Sequence, residues 1–398
     1  MSEIKSTLRK VFGRDENLIY ALVFSIFTHY VAAGAMLVIC TAIFLIKKRA
    51  RKAIFAVKYG YVGFAFCALT ALVALICKNY IGALCSLGAF LIFVTGIYSH
   101  TVITKSVYET MLKICCAGGV VATAVAITER LIQIGVKGYY CKAGFFNSNY
   151  LASTLCAIVI ICAYKVITRQ GNIFYYYGIA AFCAIGMYLT GSMFIWVELL
   201  IGVSVLLSLN RKHNILSIFL ILAAFACAIV YLVPDILPRF SQSGQTVYNR
   251  ILIWEFSLDS LKDSFFFGHG FLSYMHLIKG VPGAYFTTHA HNIILEPLLS
   301  FGIIGSVILI SFFGMYFRRL LICKSFLRHS HISALILAMT AAVLVHGLID
   351  MTMLWIQTGL LYALVMSGVG AEEKLLAEIR QKARAKKEMQ KAFAQEES

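Results

Sequence analysis

Apolar runs of about 20 residues follow one another along this 398-residue chain from end to end. A run of that length is what a helix needs to cross the hydrocarbon core of a bilayer. The chain is 60% hydrophobic and 13% charged, where a soluble domain sits near half apolar and a quarter charged. A soluble enzyme, a disordered chain and a fibre are therefore excluded, and an integral membrane protein remains. The runs lie near 57–77, 81–99, 110–127, 149–167, 173–191, 193–209, 214–233, 292–317, 332–349 and 352–370. A first run, 17–46, is interrupted by Thr28, His29, Tyr30 and Gly34. It is too long, and too poor in small residues at its end, for a cleavable signal peptide.

Positive charge orients the runs, because Lys and Arg of short loops stay in the cytoplasm. The first run has Lys5, Arg9, Lys10 and Arg14 before it and Lys47, Lys48, Arg49, Arg51 and Lys52 after it, so both flanks are inside and the run is expected to be a hairpin. Carried forward, this gives an all-α polytopic protein of about twelve spans, residues 1–370, with both termini cytoplasmic. The inside then holds 27 of the 35 Lys and Arg, and the outside Lys78, Arg130, Lys137, Lys142, Arg239, Arg250, Lys262 and Lys279. The net charge of +17 is thus a topology signal, and no nucleic-acid partner is expected. The tail 371–398, with Leu375, Leu376, Ile379, Met389 and Phe393 among Lys, Ala, Glu and Gln, reads either as a basic helix on the anionic inner leaflet or as a solvated charged tail. The twelve cysteines fall mostly inside apolar runs without CxxC spacing, and read as packing residues.

On this topology the polar residues that look out of place gather at the outer face. The loop after Glu129 carries Arg130, Tyr139, Tyr140 and Phe145-Phe146-Asn147-Ser148-Asn149, and a short turn holds Gly191 and Ser192. His346 and Asp350 flank the turn between the last two spans. The long outer loop, 234–291, contains short helices: Val247, Ile251, Trp254, Leu258 and Leu261 recur at helical spacing, which lays a helix on the membrane surface or over a cavity. On spacing alone Arg250 reads as an arginine snorkelling to lipid phosphates. Three of the four prolines, Pro234, Pro238 and Pro282, lie in this loop, with Gly268-His269-Gly270 and Gly283. It closes on His289-Ala290-His291-Asn292. Two His at i and i+2 make a poor chelate and no third ligand is signalled nearby, so no metal is expected; a general base or a hydroxyl-positioning group fits one of them better. Glu198, in mid-span, is a functional candidate or a hydrogen-bonded structural group.

At these residues the chain resembles the O-antigen ligase and O-antigen polymerase superfamily of bacterial membrane proteins. The carriers are Phe145 to Asn149, Leu189-Thr190-Gly191-Ser192, Arg250 four residues before Trp254, Phe267-Gly268-His269-Gly270-Phe271, His291-Asn292 with Glu296 and Gly302, and His346 with Asp350, over roughly 145–355. The resemblance implies a metal-independent glycosyltransferase of the bacterial cytoplasmic (inner) membrane, without cofactor. Its donor would be a glycan on undecaprenyl diphosphate at the outer leaflet, and its acceptor a hydroxyl of a glycan, lipid or protein. Arg250 would bind the diphosphate and His291 would activate the acceptor, with Trp254, Arg130, Asn149, His269, His346 and Asp350 as substrate-binding candidates. An outward Arg suits a diphosphate leaving group, and the chain has no Asp-x-Asp pair for a magnesium-held nucleotide sugar. One departure stands out. The family often carries Arg after the Ser192 turn, where this chain has Met193, leaving Arg130, Lys142 and Arg239 as alternative second cations.

A secondary transporter is the competing expectation, because twelve spans with Glu198 buried would fit one. It predicts internal repeats and charged or broken helices at the midplane, and half-to-half similarity is not evident in the chain.

Overall fold

A computed structural model describes residues 14–136, 138–240, 243–281, 285–327 and 331–396. Lys5, Arg9, Lys10, Lys137, Pro282, Gly283 and the side chain of Phe393 lie outside the described residues. Among the described residues there are sixteen α-helices and no strand. This is what a lipid-embedded chain requires, because a backbone without water must satisfy its own hydrogen bonds. The helices are α1 (Asp15–Ile26), α2 (Tyr30–Ile46), α3 (Lys48–Ala56), α4 (Gly60–Ile76), α5 (Tyr80–Val102), α6 (Lys105–Ile132), α7 (Ser148–Ile167) and α8 (Ile173–Leu189). They continue as α9 (Ile195–Leu209), α10 (His213–Leu232), α11 (Ser243–Ser260), α12 (Ser273–Leu277), α13 (Leu295–Phe326), α14 (Ile332–Gly347), α15 (Ile356–Met366) and α16 (Val369–Glu396).

An apolar helix stands at every expected run, but the count of twelve crossings is not reached by length and composition. Five helices are long and apolar enough to cross a membrane: α5, α6, α7, α10 and α13. The α2–α3 pair, bent by 94°, would make a sixth. Helices α4, α8, α9 and α14 are apolar but only 15 to 17 residues long. The first run does turn back on itself: Asp15 at the start of α1 meets Lys47, just past the end of α2, at 2.6 Å. Tyr98 donates to the other oxygen of Asp15 at 2.6 Å.

Helix α7 is the axis of the bundle. It runs buried along most of its length against α6, α8, α9 and α14, whereas α10 buries no residue and lies at the periphery. At the C-terminal end of α7 the fully buried Lys165 pairs with Glu109, which also accepts from Tyr164 at 2.7 Å and Gln170 at 2.9 Å. A buried ammonium is tolerable only with such partners. The tail is fastened at its start. Buried Glu372 accepts the backbone N–H and the hydroxyl of Ser333, and Glu373 takes a bidentate Arg319 at 2.7 and 2.8 Å with His100 at 3.1 Å. Further along α16, Ile379 and Met389 are exposed.

The Gly268-His269-Gly270 segment has a structural duty. Helix α13 is interrupted at Gly302, which adopts φ +61°, and the backbone groups freed by the interruption are taken by residues 265–270. Ile303 and Ile304 donate to the carbonyls of Phe265 and Phe266 at 2.9 and 3.1 Å, while His269 and Gly270 donate to Leu299 and Ser300 at 3.2 and 2.7 Å. The chains approach so closely that a Cβ on Gly302 would meet the Phe266 carbonyl at 2.4 Å, and one on Gly268 the Ser300 carbonyl carbon at 2.5 Å. Asn79 secures the same loop from α5, donating to the carbonyls of His269 and Phe271 at 3.1 and 2.8 Å. Gly302→Ala and Gly268→Ala are therefore expected to destabilise the protein by about 1–3 kcal/mol each, read as a lowered Tm in detergent. An unchanged Tm for both would show that this joint carries no strain on substitution.

Candidate active site

Helix α11 roofs a cavity of about 470 Å³ at the Asn149 end of α7. Of the stripe, Val247 lines this cavity, Trp254 and Leu261 pack inward, and Ile251 and Leu258 are exposed. Ile253, with Trp254, Phe256 and Leu261 beside it, joins Tyr274, Ile278, Ala290 and Leu299 in a small separate core. Arg250 faces the cavity with Val247, and its walls also include Asn149, Ser192, Met193, Arg239, His291, His346 and Asp350. The Arg250 Nε donates to the Ile349 carbonyl at 2.9 Å, which fixes the guanidinium and leaves its two terminal nitrogens for an occupant. Burial lowers the guanidinium's pKa, Asp350 opposes this, and Arg239 adds to it. Two cations therefore feel one another across the cavity wall, an arrangement relieved by a polyanion.

Asp350, 2% exposed, is the hub of the site. Its Oδ2 accepts from Asn149 Nδ2 at 2.7 Å, and its Oδ1 faces His291 Nδ1 at 2.9 Å and His289 Nε2 at 3.3 Å. Burial works against the carboxylate, but His291 and His289 outweigh it and hold the pKa well below the usual range. An ionised carboxylate only accepts, so the proton of His291 sits on Nδ1 and its Nε2 presents a lone pair. That nitrogen meets the Thr287 hydroxyl at 2.9 Å, a position another hydroxyl could take. Burial pushes the His291 pKa below its ordinary value, opposed by Asp350 and reinforced by His289 and Arg250. The imidazole is thus neutral and basic near pH 7. His289 is buried too, but Asp350 outweighs burial and raises its pKa.

The third donor that two histidines at i and i+2 lacked in sequence is therefore Asp350. The His289, His291 and Asp350 ligand atoms lie within 4.8 Å of one another. Hydrogen bonding already occupies much of this group: Oδ2 is taken by Asn149 and His291 Nε2 by Thr287.

The segment that bears these histidines is held from several sides. Trp254 Nε1 donates to the Ala290 carbonyl at 3.1 Å, and the Ala290 N–H donates to the buried Glu296 at 2.7 Å. The Ile293 N–H donates to the Gly347 carbonyl at 2.6 Å, and Asn292 caps α13 while reaching the Leu348 carbonyl at 3.2 Å. This stitching keeps His291 at φ +49°, a conformation that costs a non-glycine residue about 1–2 kcal/mol.

The structure brings together Arg250, His291, Asn149, His346 and Asp350, and separates them from three other candidates. Trp254 tethers the histidine segment and does not line the cavity. Arg130 caps its own helix end through the Val136 carbonyl at 3.4 Å, and His269 belongs to the joint at Gly302. Of the cations weighed against Met193, only Arg239 reaches the cavity; its guanidinium lies 4.1 Å above the Tyr140 ring, and that ring packs on Gly191. Thr287 had no signal in the sequence, since a single threonine in a loop is unremarked by spacing.

Residues 178–310 match the O-antigen ligase family. The matched stretch holds the Ser192 turn, Arg239, Arg250, His289 and His291, while Asn149, His346 and Asp350 complete the cavity from outside it. No curated protein matches the chain. That match supports a membrane function in surface polysaccharide synthesis.

Within the matched stretch the Trp254 tether can be tested apart from the cavity. Trp254→Phe keeps the ring and removes the hydrogen bond to Ala290, and is expected to cost about 0.5–1.5 kcal/mol, measured by thermal denaturation in detergent. An unaltered Tm would show that the tether contributes nothing.

Proposed function

We propose that the protein is a metal-independent glycosyltransferase that ligates or polymerises an undecaprenyl-diphosphate-linked glycan at the outer face of the bacterial inner membrane. One observation carries this reading: Arg250, with its fork toward the cavity, and His291, with a basic Nε2, border the same space. The diphosphate of the donor lies on Arg250 and Arg239, which neutralise the charge that grows on it as the glycosidic C–O bond breaks. The acceptor hydroxyl replaces Thr287 at His291 Nε2 and gives up its proton there. Asp350 fixes the tautomer and stabilises the imidazolium that forms.

The accompanying topology is twelve crossings with both termini cytoplasmic, the shorter helices crossing a bilayer that thins around them at small cost. Cysteine labelling from either side, at Lys279 and in the tail, checks it. The transporter reading asks for a broken helix whose free backbone binds an ion; the break at Gly302 has its backbone groups taken by residues 265–270.

Arg250→Ala and His291→Ala are expected to abolish surface polymer by at least about 10²-fold while leaving insertion intact. Full-length polymer from both variants would overturn the assignment. Deleting the protein and sizing the glycan separates its two forms: single repeat units on the acceptor indicate a lost polymerase, and long chains stranded on the carrier a lost ligase. With purified protein, activity is expected to fall as pH drops through the depressed pKa of His291, because protonation removes the base. It should also persist in a chelator; loss of activity there, restored by a divalent ion, would refute the metal-free mechanism.

A further inference from the structure

A second imidazole–carboxylate pair has its imidazole, His346, in the wall of the same cavity and is not used by the steps above. His346, in the last turn of α14, places Nδ1 2.7 Å from Glu198 Oε2, and each residue is 2% exposed. Glu198 stands in the first turn of α9 and is the mid-span carboxylate that the sequence singled out. Its Oε1 accepts from Ser153 of α7 at 3.1 Å, and Ser153 in turn accepts from Thr352 at 3.3 Å. A carboxylate this buried is costly unless it is paired and hydrogen-bonded, and Ser153 and His346 are the groups that face Glu198.

A pair with a purely structural duty has no need to border a binding cavity, yet His346 lines this one with Arg250 and His291. With Nδ1 on Glu198, Nε2 is the nitrogen left for an occupant. Charged groups face the ring from three elements: Glu198 on α9, Asp350 after α14 and Arg250 on α11. The Phe194 ring, 6.0 Å away, covers another side.

The geometry points to His346, oriented by Glu198, as the group that donates from Nε2 to the departing diphosphate. This deepens the glycosyl-transfer reading and rests on it. In the transfer, the acceptor O–H gives its proton to His291 Nε2 as the acceptor oxygen bonds the anomeric carbon. The bond from that carbon to the diphosphate oxygen breaks, its electron pair stays on that oxygen, and His346 Nε2 supplies the proton. Net, one proton passes from acceptor to carrier diphosphate, and both imidazoles are reset by exchange with water in the cavity. The two histidines therefore work in opposite protonation states, which makes the rate rise and then fall with pH.

The test is the pH dependence of initial rates for full-length protein in lipid nanodiscs, with the carrier-linked glycan as donor. Wild type is expected to give a bell. Glu198→Gln should keep the acidic limb, set by His291, and move the alkaline limb down by about one pH unit or more, because a nearby opposite charge is lost. His346→Gln should lower kcat about 10²-fold with KM little changed, and abolish the alkaline limb. A rate reduced equally at every pH in Glu198→Gln, or a His346→Gln enzyme within threefold of wild type, would assign the pair to structure alone. If Glu198→Gln fails to fold, His346→Gln decides. A wild-type protein that transfers nothing would instead overturn the glycosyltransferase reading itself.

Discussion

The candidate site depends on one buried carboxylate. Asp350 ties Asn149 at the head of α7, the His289–His291 segment of the outer loop and the turn after α14 into a single object, and each of its oxygens is used. A desolvated carboxylate costs several kcal/mol unless it is surrounded by donors, so the fold must deliver those donors from chain positions 60 and 200 residues apart. The bonds from the Ile293 N–H to the Gly347 carbonyl and from Arg250 Nε to the Ile349 carbonyl show the same convergence. Function follows from it, since the carboxylate that stitches the segments together also decides which nitrogen of His291 is basic.

Charge organises the cavity further. Arg250 and Arg239 face it without a carboxylate ion pair among the described residues, Arg239 lying flat on Tyr140, which itself packs over the left-handed Gly191. Met193 puts an apolar side chain on one wall, and the second cation, Arg239, arrives from the segment between α10 and α11. The opposite end of the bundle is built differently. There Arg319, Glu373, His100 and Lys165 with Glu109 form closed ion pairs that lock α16 and α7 in place. Paired charge holds that end together, while incompletely paired charge faces the cavity.

Much of the helical architecture was legible in the residues, because apolar runs in lipid have no alternative to helix. The hairpin of the first run followed from basic residues on both flanks, and the Asp15–Lys47 pair shows it closed. What spacing could not give was pairing across long separations. Glu198 and His346 were noticed singly, yet nothing in a sequence places residues 148 positions apart at 2.7 Å. The third donor for His289 and His291 was missed for the same reason. The stripe on α11 marked the helix, but lipid-facing and core-facing positions are both apolar in a membrane protein, so spacing alone did not say which of its members pack: Trp254 and Leu261 do, while Ile251 and Leu258 are exposed. Gly268-His269-Gly270 resembled a functional loop, and its glycines prove necessary for the close approach to the break at Gly302.

The central claim is that the outer cavity holds a diphosphate on Arg250 next to a base that Asp350 prepares. Equilibrium binding of undecaprenyl diphosphate to the protein in nanodiscs tests it most directly, comparing wild type with Arg250→Ala and His291→Ala. The account requires Arg250→Ala to weaken binding at least about tenfold, the loss of a charge-assisted bidentate contact, while His291→Ala binds as wild type does. Equal binding by wild type and Arg250→Ala would contradict it.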